Sequence, residues 1–382
     1  MITVLHVITS LGSGGAERML TKIVSANHGP DAPRQVVVSL MDQGIYGAVL
    51  NAAGIEVRCL GMRRRRLSPR ALLQLAVLMR RLNPDVVMSW LYHADLMATL
   101  AALVAGISMK RLVWNLRCSD IDFARYAQTT RWTVSLLIRL SRLPAAIAVN
   151  SDAGRRAHVA LGYRPNRWIY IPNGFDLEEW RPDPVDRALV RSELGFKDQT
   201  VAMGMVARAD PQKDHPTLLA AAERLVTSYQ HVEFVLIGKD TEYIPLPESL
   251  RERIHPLGQR GDVPKLLRGL DILVLSSAYG EGFPNVVGEA MATGLPCVVT
   301  DVGDSAHLVG ETGWVVPPRS PDALAQAISE LLAESSGVRA KRGEMARHWI
   351  QANYSIDRVK ALYRETWLCI ASSAATSTRR SG

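Results

Sequence analysis

Cysteine and long apolar runs are both scarce in this 382-residue sequence. The four cysteines show no metal-ligand spacing, which argues against a disulfide scaffold and against a structural metal site. We expect them to be reduced and mostly buried thiols. The longest nearly apolar run, 96–107, is shorter than the about 20 residues that a membrane-spanning helix needs. Residues 1–8 have the pattern of a strand rather than of a signal peptide, so we expect a cytoplasmic protein.

Acidic residues are scarce in the first half of the chain. Residues 1–176 contain 22 Lys and Arg against 10 Asp and Glu, a net charge of +12. Because the net charge of the whole chain is +8, residues 177–382 have a net charge of −4. A basic half joined to a mildly acidic half predicts an anionic partner for the first half, whether membrane lipid, lipid diphosphate or nucleic acid. Because no known nucleic-acid-binding module is visible, we expect no nucleic-acid partner.

Hydrophobic residues make up 47% of the chain, enough for two domains that each bury a core. Short apolar runs alternate with helical patterns, which predicts an α/β protein with parallel, doubly wound sheets. The strands predicted in the first half are 2–8, 35–40, 56–60, 85–90, 111–116, 145–150 and 167–171. Those predicted in the second half are 201–206, 232–237, 254–257, 271–275 and 313–318. Ligands of such sheets bind where strands end, so the residues just after each strand are the candidates for function.

The stretch 281–289, Glu-Gly-Phe-Pro-Asn-Val-Val-Gly-Glu, combines two carboxylates with a predicted helix start. It follows the strand 271–275 and a glycine-containing loop, and Pro284 fits the first helical position, where its missing N–H is not needed. The N–H groups of such a helix start, together with the helix dipole, form a site that holds phosphates. Glu281 and Glu289 flank that site and could accept hydrogen bonds from the hydroxyls of a nucleotide sugar. The alternative is an ordinary Gly/Pro turn before an amphipathic helix.

This stretch resembles the E-x7-E motif of family 4 of the retaining GT-B glycosyltransferases. Gly294-Leu295-Pro296 and Thr300-Asp301-Val302-Gly303 also look like that family. The resemblance implies two doubly wound, Rossmann-like domains that face each other across a cleft, with a C-terminal helix that crosses back. The segments implied are an acceptor-binding domain (1–176), a nucleotide-sugar-binding domain (177–355) and the returning helix (356–371). The small and polar residues of 372–382 predict a disordered tail.

The same resemblance assigns roles to individual residues. Arg208 and Lys213 match the Arg and Lys that hold the donor diphosphate, Glu281 would bind the transferred sugar, and Glu289 would bind the ribose. The catalytic set implied is therefore Glu281, Arg208 and Lys213. The other donor-binding positions implied lie in a glycine loop, in the nucleobase loop and at the helix start: Gly14, Gly15, Gln259, Arg260, Gly282, Phe283, Pro284 and Asn285. For the glycines, a tight strand-to-helix turn is the alternative explanation.

The acceptor side departs from the family pattern. Many members have a histidine after the strand equivalent to 111–116, where this chain has Arg117. We name His93, Asn115 and Arg117, which lie at strand ends, as candidates for contact with acceptor or sugar. A satisfied structural histidine is the alternative for His93. Asp120-Ile121-Asp122 looks like the D-x-D metal motif of the other large glycosyltransferase fold, but it lies in the wrong half to meet the diphosphate, so we expect neither metal nor cofactor.

Two basic segments interleave arginine with apolar residues. One is Arg63–Arg66, which leads to Arg80 and Arg81, and the other is 125–142, which contains Trp132. They could lie on an anionic membrane surface, or they could be solvated helix faces whose apolar sides pack on the sheet. The sequence leaves both interpretations open.

Together these patterns predict transfer of a sugar, with retention, from a nucleoside diphosphate sugar, expected to be UDP-linked, to an acceptor hydroxyl. The resemblance implies that the acceptor is a lipid-linked saccharide of bacterial surface-polysaccharide assembly. We expect a cytoplasmic protein that can bind peripherally to the inner face of the cell membrane. Cationic side chains and helix amides would stabilise the leaving diphosphate without metal. Two alternatives stay open: a nucleotide-sugar 2-epimerase on the same fold, whose acid/base set we do not locate, and a basic binding protein without catalysis.

Overall fold

The computed structural model describes residues 2–12, 14–27, 29, 32–63, 68–118 and 127–379. The chain divides into two compact units. The first consists of Met1–Gly174 together with Asp357–Gly382, and the second consists of Phe175–Ile356. Each unit contains a parallel sheet of its own, the arrangement of a Rossmann-like α/β domain. No helix in these described ranges is both long and apolar enough to cross a membrane.

The first unit is built on seven parallel strands. They are β1 (Thr3–Ile8), β2 (Arg34–Ser39), β3 (Glu56–Cys59), β4 (Val86–Trp90), β5 (Leu112–Leu116), β6 (Ala146–Val149) and β7 (Trp168–Tyr170). Each strand end lies within one residue of its predicted position. The order in the sheet is β3-β2-β1-β4-β5-β6-β7. Because the order reverses between β1 and β4, the carboxyl ends of these two strands border the place where ligands of such sheets bind.

Helices cover both faces of this sheet. They are α1 (Gly15–Ala26), α2 (Gly44–Ala52), α3 (Pro69–Leu82), α4 (Tyr92–Ala105), α5 (Gln128–Leu140) and α6 (Asp152–Ala160). Right-handed crossovers place α1 and α2 on one face and α3 to α6 on the other. On the second face α3 packs on α4, and α4 packs on α5. The core beneath them includes Leu5, Leu75 and Trp114, all fully buried.

The last helix of the chain, α14 (Ile356–Arg379), belongs to the first unit from Asp357 onward. Its Tyr363 and Trp367 are fully buried. Tyr363 stacks on Trp90 with ring centroids 5.9 Å apart, and Trp367 meets the His6 ring edge-on at 5.5 Å. Because aromatic pairs add to the free energy of burial, these contacts fix α14 against the ends of β1 and β4.

The predicted disordered tail is wrong for residues 372–379, because α14 continues through them. The hydroxyls of Ser372 and Ser373 donate to the carbonyl oxygen of Cys369 at 3.0 and 2.8 Å, so these polar side chains are satisfied within the helix. Ala374 is buried, which adds apolar contact to the good helix propensity of alanine. Composition alone does not distinguish such a segment from a solvated tail.

The second unit is built on six parallel strands. They are β8 (Val201–Val206), β9 (Val232–Ile237), β10 (Ile254–Gly258), β11 (Ile272–Leu275), β12 (Cys297–Thr300) and β13 (Trp314–Val316). The order in the sheet is β10-β9-β8-β11-β12-β13. The reversal lies between β8 and β11, so the loops after these two neighbouring strands border the expected ligand site.

The helices of the second unit include two whose positions matter for the site. The full set is α7 (Pro184–Glu193), α8 (His215–Val226), α9 (Val263–Gly269), α10 (Asn285–Ala292), α11 (Ser305–Val309), α12 (Pro321–Ala333) and α13 (Ser336–Tyr354). α8 follows β8, and α10 follows β11. Two elements were not predicted from the sequence, β12 and α7. α7 begins at Pro184 because the Asp183 carboxylate accepts hydrogen bonds from the N–H groups of Val185 and Asp186 at 2.9 and 3.1 Å.

The cysteines are free thiols, but the expectation that most are buried is wrong. Only Cys297 is buried, whereas Cys59 and Cys369 are exposed and Cys118 is half-buried. Cys59 lies on β3, which is the outermost strand of its sheet among the described residues. Burial raises the pKa of the Cys297 thiol, so this thiol stays protonated.

Candidate active site

The carboxylate of Glu281 is the centre of a buried polar cluster at the carboxyl edge of the second sheet. Glu281 is 8% exposed. Its Oε1 accepts a hydrogen bond from Ser277 Oγ at 2.5 Å and forms an ion pair with the Lys213 ammonium, which is also mostly buried. Within the described part of the chain, both donors use Oε1 and no donor reaches Oε2. The arrangement therefore leaves one oxygen of Glu281 to accept a hydrogen bond from a ligand.

Two hydroxyl groups tie neighbouring loops to this cluster. Ser276 Oγ, directly after β11, donates to the Lys213 carbonyl oxygen at 3.1 Å, which joins the loop after β8 to the loop after β11. Thr300 Oγ1, at the end of β12, donates to the Ser277 carbonyl oxygen at 2.6 Å. These bonds fix the backbone on both sides of the Glu281 loop.

Gly303 in the Thr-Asp-Val-Gly segment after β12 has a steric function. Its φ is +68°, and a Cβ there would lie 2.2 Å from the carbonyl oxygen of Glu281. The next residue, Asp304, donates its N–H to the Gly282 carbonyl oxygen at 2.8 Å. The glycine thus allows the loop after β12 to pack directly beneath Glu281.

The helix after Glu281 begins one residue later than predicted. Pro284 has an extended ψ of 95°, so it is the N-cap residue of α10 and Asn285 is the first helical residue. Phe283 is buried and stacks on Phe175 with centroids 6.1 Å apart. The Phe175 ring also fills the space above Gly288, where a Cβ would lie 2.0 Å from it. Because the side chains here are packed, any anion bound at this helix start would meet backbone N–H groups.

Glu289 lies on α10, four residues after its first residue and thus about 6 Å along the helix axis. It is half-buried, as is Gly282, whereas Asn285 is exposed. Glu281 thus precedes the first residue of α10, and Glu289 lies in the second turn of that helix.

Arg208 follows β8 but remains outside the Glu281 cluster. Its side chain is 60% exposed, and its guanidinium donates to Asp210 at 3.2 Å and to Gln212 at 3.5 Å. The backbone of the same loop turns back, with the Lys213 N–H donating to the Asp210 carbonyl oxygen at 2.9 Å. The structure thus places both predicted diphosphate-binding cations on one loop, one buried against Glu281 and one exposed.

Gln259 and Arg260 follow β10, three strand positions away from β11 in the sheet. Gln259 is exposed. The Arg260 guanidinium forms two hydrogen bonds of 2.8 Å with the Asp262 carboxylate, and these bonds raise its pKa above the usual arginine value. Since the side chain of Arg260 is paired with Asp262, the groups of this loop that remain available to a ligand are its backbone and the exposed Gln259 side chain.

His215 was not predicted and lies next to Lys213, at the first position of α8. The ring is 3% exposed, and its Nε2 has no hydrogen-bond partner among the described residues. Burial lowers the pKa of His215 to about 4, so the ring is neutral at physiological pH. An Asp-His pair directly after Lys213 is the sequence feature that marks this position.

In the first unit, Gly14 and Gly15 start α1 as predicted. The Glu17 carboxylate folds back over Gly14, where a Cβ would lie 2.2 Å from it, and Ser10 Oγ donates to this carboxylate at 3.2 Å. A Cβ at Gly15 would meet no atom within 4 Å. A Cβ at Gly14 would displace only the end of the Glu17 side chain, whereas at Gly15 the backbone is open to an approaching group.

A cavity of about 1080 Å³ lies in the first unit beside this glycine loop. Its apolar lining includes Leu40, Met41, Met62, Leu96, Trp132 and Leu136. Its polar lining includes Ser10, Glu17, Arg63, His93, Thr129 and Arg139. A cavity with apolar walls and a few convergent polar groups is typical of a ligand site.

His93 lines this cavity near the start of α4. Its Nε2 is buried without a partner among the described residues, and burial lowers its pKa. Among the described residues, no hydrogen bond to Nε2 supports the alternative of a satisfied structural histidine at His93. Leu91, two residues before it, has φ +73° and ψ 158°, a region that glycine almost alone adopts. Such backbone strain is concentrated at functional sites.

Asn115 and Arg117 do not line the cavity. Asn115 is fully buried, and its amide donates to Tyr363 Oη at 3.1 Å. Arg117 also donates to Tyr363 Oη, and its guanidinium lies over the rings of Trp90 and Tyr363, 5.5 and 5.7 Å from their centroids. In the structure both side chains hold α14, which differs from the predicted contact with acceptor or sugar.

The alternation of side chains along β5 is the reason for this difference. Trp114 and Leu116 belong to the core under α3 to α5, so Asn115 between them points to the opposite face. Arg117 then continues toward Ile171 and Asn173, to whose oxygens it donates at 3.0 Å each. Asp120, Asp122 and Arg64–Arg66 lie outside the described residues.

Known proteins that this chain resembles are glycosyltransferases. Residues 6–179 match the family model described as Glycosyltransferase Family 4, and residues 200–334 match the model described as Glycosyl transferases group 1. The Escherichia coli UDP-Gal:alpha-D-GlcNAc-diphosphoundecaprenol alpha-1,3-galactosyltransferase is 26% identical over 315 residues, 77% of this chain and 79% of that protein.

A second relative is the N,N'-diacetylbacillosaminyl-diphospho-undecaprenol alpha-1,3-N-acetylgalactosaminyltransferase of Campylobacter jejuni. It is 28% identical over 316 residues, 78% of this chain and 82% of that protein. The crystal structure of Anabaena Alr3699/HepE in complex with UDP matches with a TM-score of 0.80 at 23% identity and covers 96% of this chain and 99% of that chain. Two family models that together span most of the sequence, and two Rossmann-like units of the predicted topology, show that the chain belongs to the family 4 glycosyltransferases and has the GT-B fold.

Proposed function

We propose that this glycosyltransferase moves a sugar from a UDP-sugar to a hydroxyl of a lipid-linked saccharide, with retention of configuration and without a metal ion. The proposal rests on the hydrogen bonding of the Glu281 carboxylate. Its Oε1 accepts hydrogen bonds from Lys213 and Ser277, and its Oε2 remains available to a ligand. A sugar hydroxyl is a good donor to a carboxylate held in this way.

The donor diphosphate is proposed to lie between the loop after β8 and the start of α10. These two elements follow neighbouring strands, and they supply the cations Lys213 and Arg208 and the positive end of a helix dipole. Breaking the bond between sugar and phosphate builds negative charge on the leaving diphosphate. Donors already in place stabilise that charge in the transition state more than in the ground state.

The length of the sheet edge supports a nucleotide as the donor. The loop after β10, with Gln259 and Arg260, is three strand positions from the loop after β11. At about 4.8 Å between neighbouring strands, the two loops are about 14 Å apart, which suits a ligand with a base at one end and a sugar at the other. The UDP in the complex of HepE favours uridine as the base.

Retention is proposed without a covalent intermediate on Glu281. A carboxylate that accepts bonds from an ammonium and a hydroxyl is stabilised as an anion, which makes it a weak nucleophile and a good hydrogen-bond acceptor. Its role is then to orient the sugar. Retaining hydrolases instead need two carboxyl groups about 5 Å apart on either side of the bond.

The acceptor is proposed to be a sugar on a lipid diphosphate. The names of the Escherichia coli and Campylobacter jejuni relatives both specify a saccharide on diphosphoundecaprenol. In this chain the cavity of the first unit combines apolar walls with Arg63 and Arg139, which suits a ligand with an apolar chain and an anionic group.

Turnover of a panel of UDP-, GDP- and ADP-sugars with a polyprenyl-diphosphate saccharide tests the proposal. We expect product only from a UDP-sugar with acceptor present, undiminished activity in EDTA, and an anomeric configuration in the product that matches the donor by NMR. Loss of activity in EDTA that Mn²⁺ restores would contradict metal independence. Release of free UDP without an acceptor-dependent product would favour the epimerase alternative.

A further inference from the structure

Gly288 lies in the interior of α10, where glycine is the least favourable residue apart from proline. A Cβ at this position would lie 2.0, 2.4 and 2.8 Å from three atoms of the Phe175 ring, Cζ, Cε2 and Cε1. Real Cβ atoms do not come so close to a neighbour. The glycine is therefore explained by the close approach of the Phe175 ring to the helix backbone.

The same ring also contacts the segment before α10. Phe175 stacks on Phe283 with ring centroids 6.1 Å apart and an interplanar angle of 23°, and both side chains are buried. Phe283 comes two residues after Glu281, and Gly288 comes directly before Glu289. One aromatic ring thus packs against both segments that carry the carboxylates of the candidate donor site.

Backbone hydrogen bonds hold Phe175 in this place. Its N–H donates to the Tyr354 carbonyl oxygen at 2.9 Å, and its carbonyl oxygen accepts from the Ile356 N–H at 2.8 Å. The Tyr354 ring in turn meets the Phe283 ring edge-on, with centroids 5.5 Å apart. Because Phe175 is fixed through its backbone, its ring has a defined position relative to the Glu281 loop and to α10.

We propose that Phe175 is a positioning residue of the donor site, whose ring sets the distance between the Glu281 loop and α10. This inference rests on the proposed function, in which Glu281 binds the sugar and Glu289 the ribose of one donor. A donor of fixed length meets both carboxylates only while the two segments keep their separation. Since misplacement by about 1 Å can cost about 100-fold in rate, this packing contact acts on transfer without a contact to substrate.

The first test compares the same substitution on the two faces of one sheet. Phe175→Leu changes the candidate positioning residue, and Phe234→Leu is the control, because Phe234 is buried on β9 in the core on the opposite face. At a temperature where both variants are folded, kcat with the UDP-sugar that the donor panel identifies should fall at least about tenfold in Phe175→Leu. It should stay within about twofold of wild type in Phe234→Leu. Equal kcat in the two variants overturns the proposal.

Binding of UDP alone separates positioning of the two carboxylates from support of the helix start. UDP has no sugar to reach Glu281, so its affinity in calorimetry should stay within about threefold of wild type in Phe175→Leu. The additional affinity that wild type gains from UDP to the UDP-sugar should be lost in this variant. A loss of affinity that is equal for UDP and for the UDP-sugar contradicts the proposed distance constraint.

A second substitution should rescue the first. Leucine lacks the three ring atoms that a Cβ at position 288 would meet, so Phe175→Leu/Gly288→Ala has room for the added methyl group. This double variant should recover kcat to within about threefold of wild type, because exchanges that conserve core volume are tolerated best. Phe234→Leu/Gly288→Ala should be no more active than Gly288→Ala. Losses that simply add in Phe175→Leu/Gly288→Ala count against a shared contact.

Hydrogen–deuterium exchange of the protein without substrate tests the positioning independently of activity. The amides of α10 should exchange at least about tenfold faster in Phe175→Leu than in wild type, and near the wild-type rate in Phe234→Leu. Equal exchange of α10 in the two variants overturns the proposal. If wild type transfers sugar from no UDP-sugar, the proposed function fails, and the exchange rates still decide whether Phe175 fixes α10.

Discussion

Removing one charge of the Lys213–Glu281 pair should destabilise the second unit as well as stop transfer. Glu281→Gln keeps the shape of the side chain and an acceptor for Ser277, but leaves the mostly buried Lys213 ammonium without a counter-charge. Lys213→Met removes the ammonium and leaves the buried Glu281 carboxylate without a counter-charge. The double variant Glu281→Gln/Lys213→Met has no charge left to bury, so it should recover most of the stability and none of the activity.

The size of the effect follows from the burial of the pair. Breaking a buried ion pair from one side costs about 3 to 5 kcal/mol, and the 18% exposure of the Lys213 side chain favours the lower end. For a unit of this size, about 3 kcal/mol lowers the melting temperature by roughly 6 to 12 °C. The double variant should melt within about 1 kcal/mol of wild type, because replacing both charges by groups of similar volume is nearly neutral.

Thermal melts of the wild type and the three variants form a double-mutant cycle. Arg208→Met is the control, since its side chain is exposed and its loss should change the melting temperature little. UDP affinity, measured by calorimetry, should stay near wild type in Glu281→Gln while transfer is nearly abolished. If the losses of stability in the two single variants add in the double variant, the two charges do not stabilise each other. Wild-type turnover in Glu281→Gln would contradict the proposed contact with the sugar.

Glu289→Ala should weaken UDP binding in calorimetry, because this residue is proposed to bind the ribose; unchanged affinity would contradict that role. Arg208→Ala should lower kcat/KM by about 2 to 4 kcal/mol of transition-state stabilisation, and a loss confined to KM would indicate ground-state binding only. Stability should fall on acidification, because burial lowers the pKa of His6, His158 and His215 from 6.5 to about 4. The unfolded chain takes up these protons first, so each ring's contribution is intact above pH 6.5 and declines by up to about 3 kcal/mol as the pH falls to about 4. The free energy of unfolding, measured by urea titration at several pH values between 6.5 and 4, checks this prediction. A free energy of unfolding that does not change with pH in this range would refute it.

The strands of both sheets could be predicted from the sequence because their apolar, β-branched runs are long enough to stand out. β12 was missed, since its four residues directly follow a Gly-Leu-Pro turn and resemble a continuation of it. The end of α14 was missed for the opposite reason: serine and alanine predict a solvated tail when the residues that they pack against are unknown. The local sequence pattern was therefore sufficient to predict most strands of the two sheets, whereas the remaining elements depend on tertiary contacts.

Site residues could be predicted where they belong to one sequence motif. They could not be predicted where residues far apart in the sequence come into contact. Glu281 and Lys213 could be named from their motifs, and they are in contact. Ser277 was missed because a serine after a strand is common, and only the fold shows that its hydroxyl reaches Glu281. Asn115 and Arg117 were placed at the acceptor because nothing in the sequence shows that Tyr363, more than 240 residues later, covers them.

The last helix also sets the order in which the chain can fold during translation. The first unit needs Tyr363 and Trp367 to complete its aromatic contacts with Trp90 and His6, so it stays unfinished until α14 has been synthesised. The second unit is contiguous in sequence, and it can fold while the ribosome still holds the final helix. A premature stop just before Asp357 would therefore leave the second unit intact and expose the unfinished face of the first to chaperones and proteases.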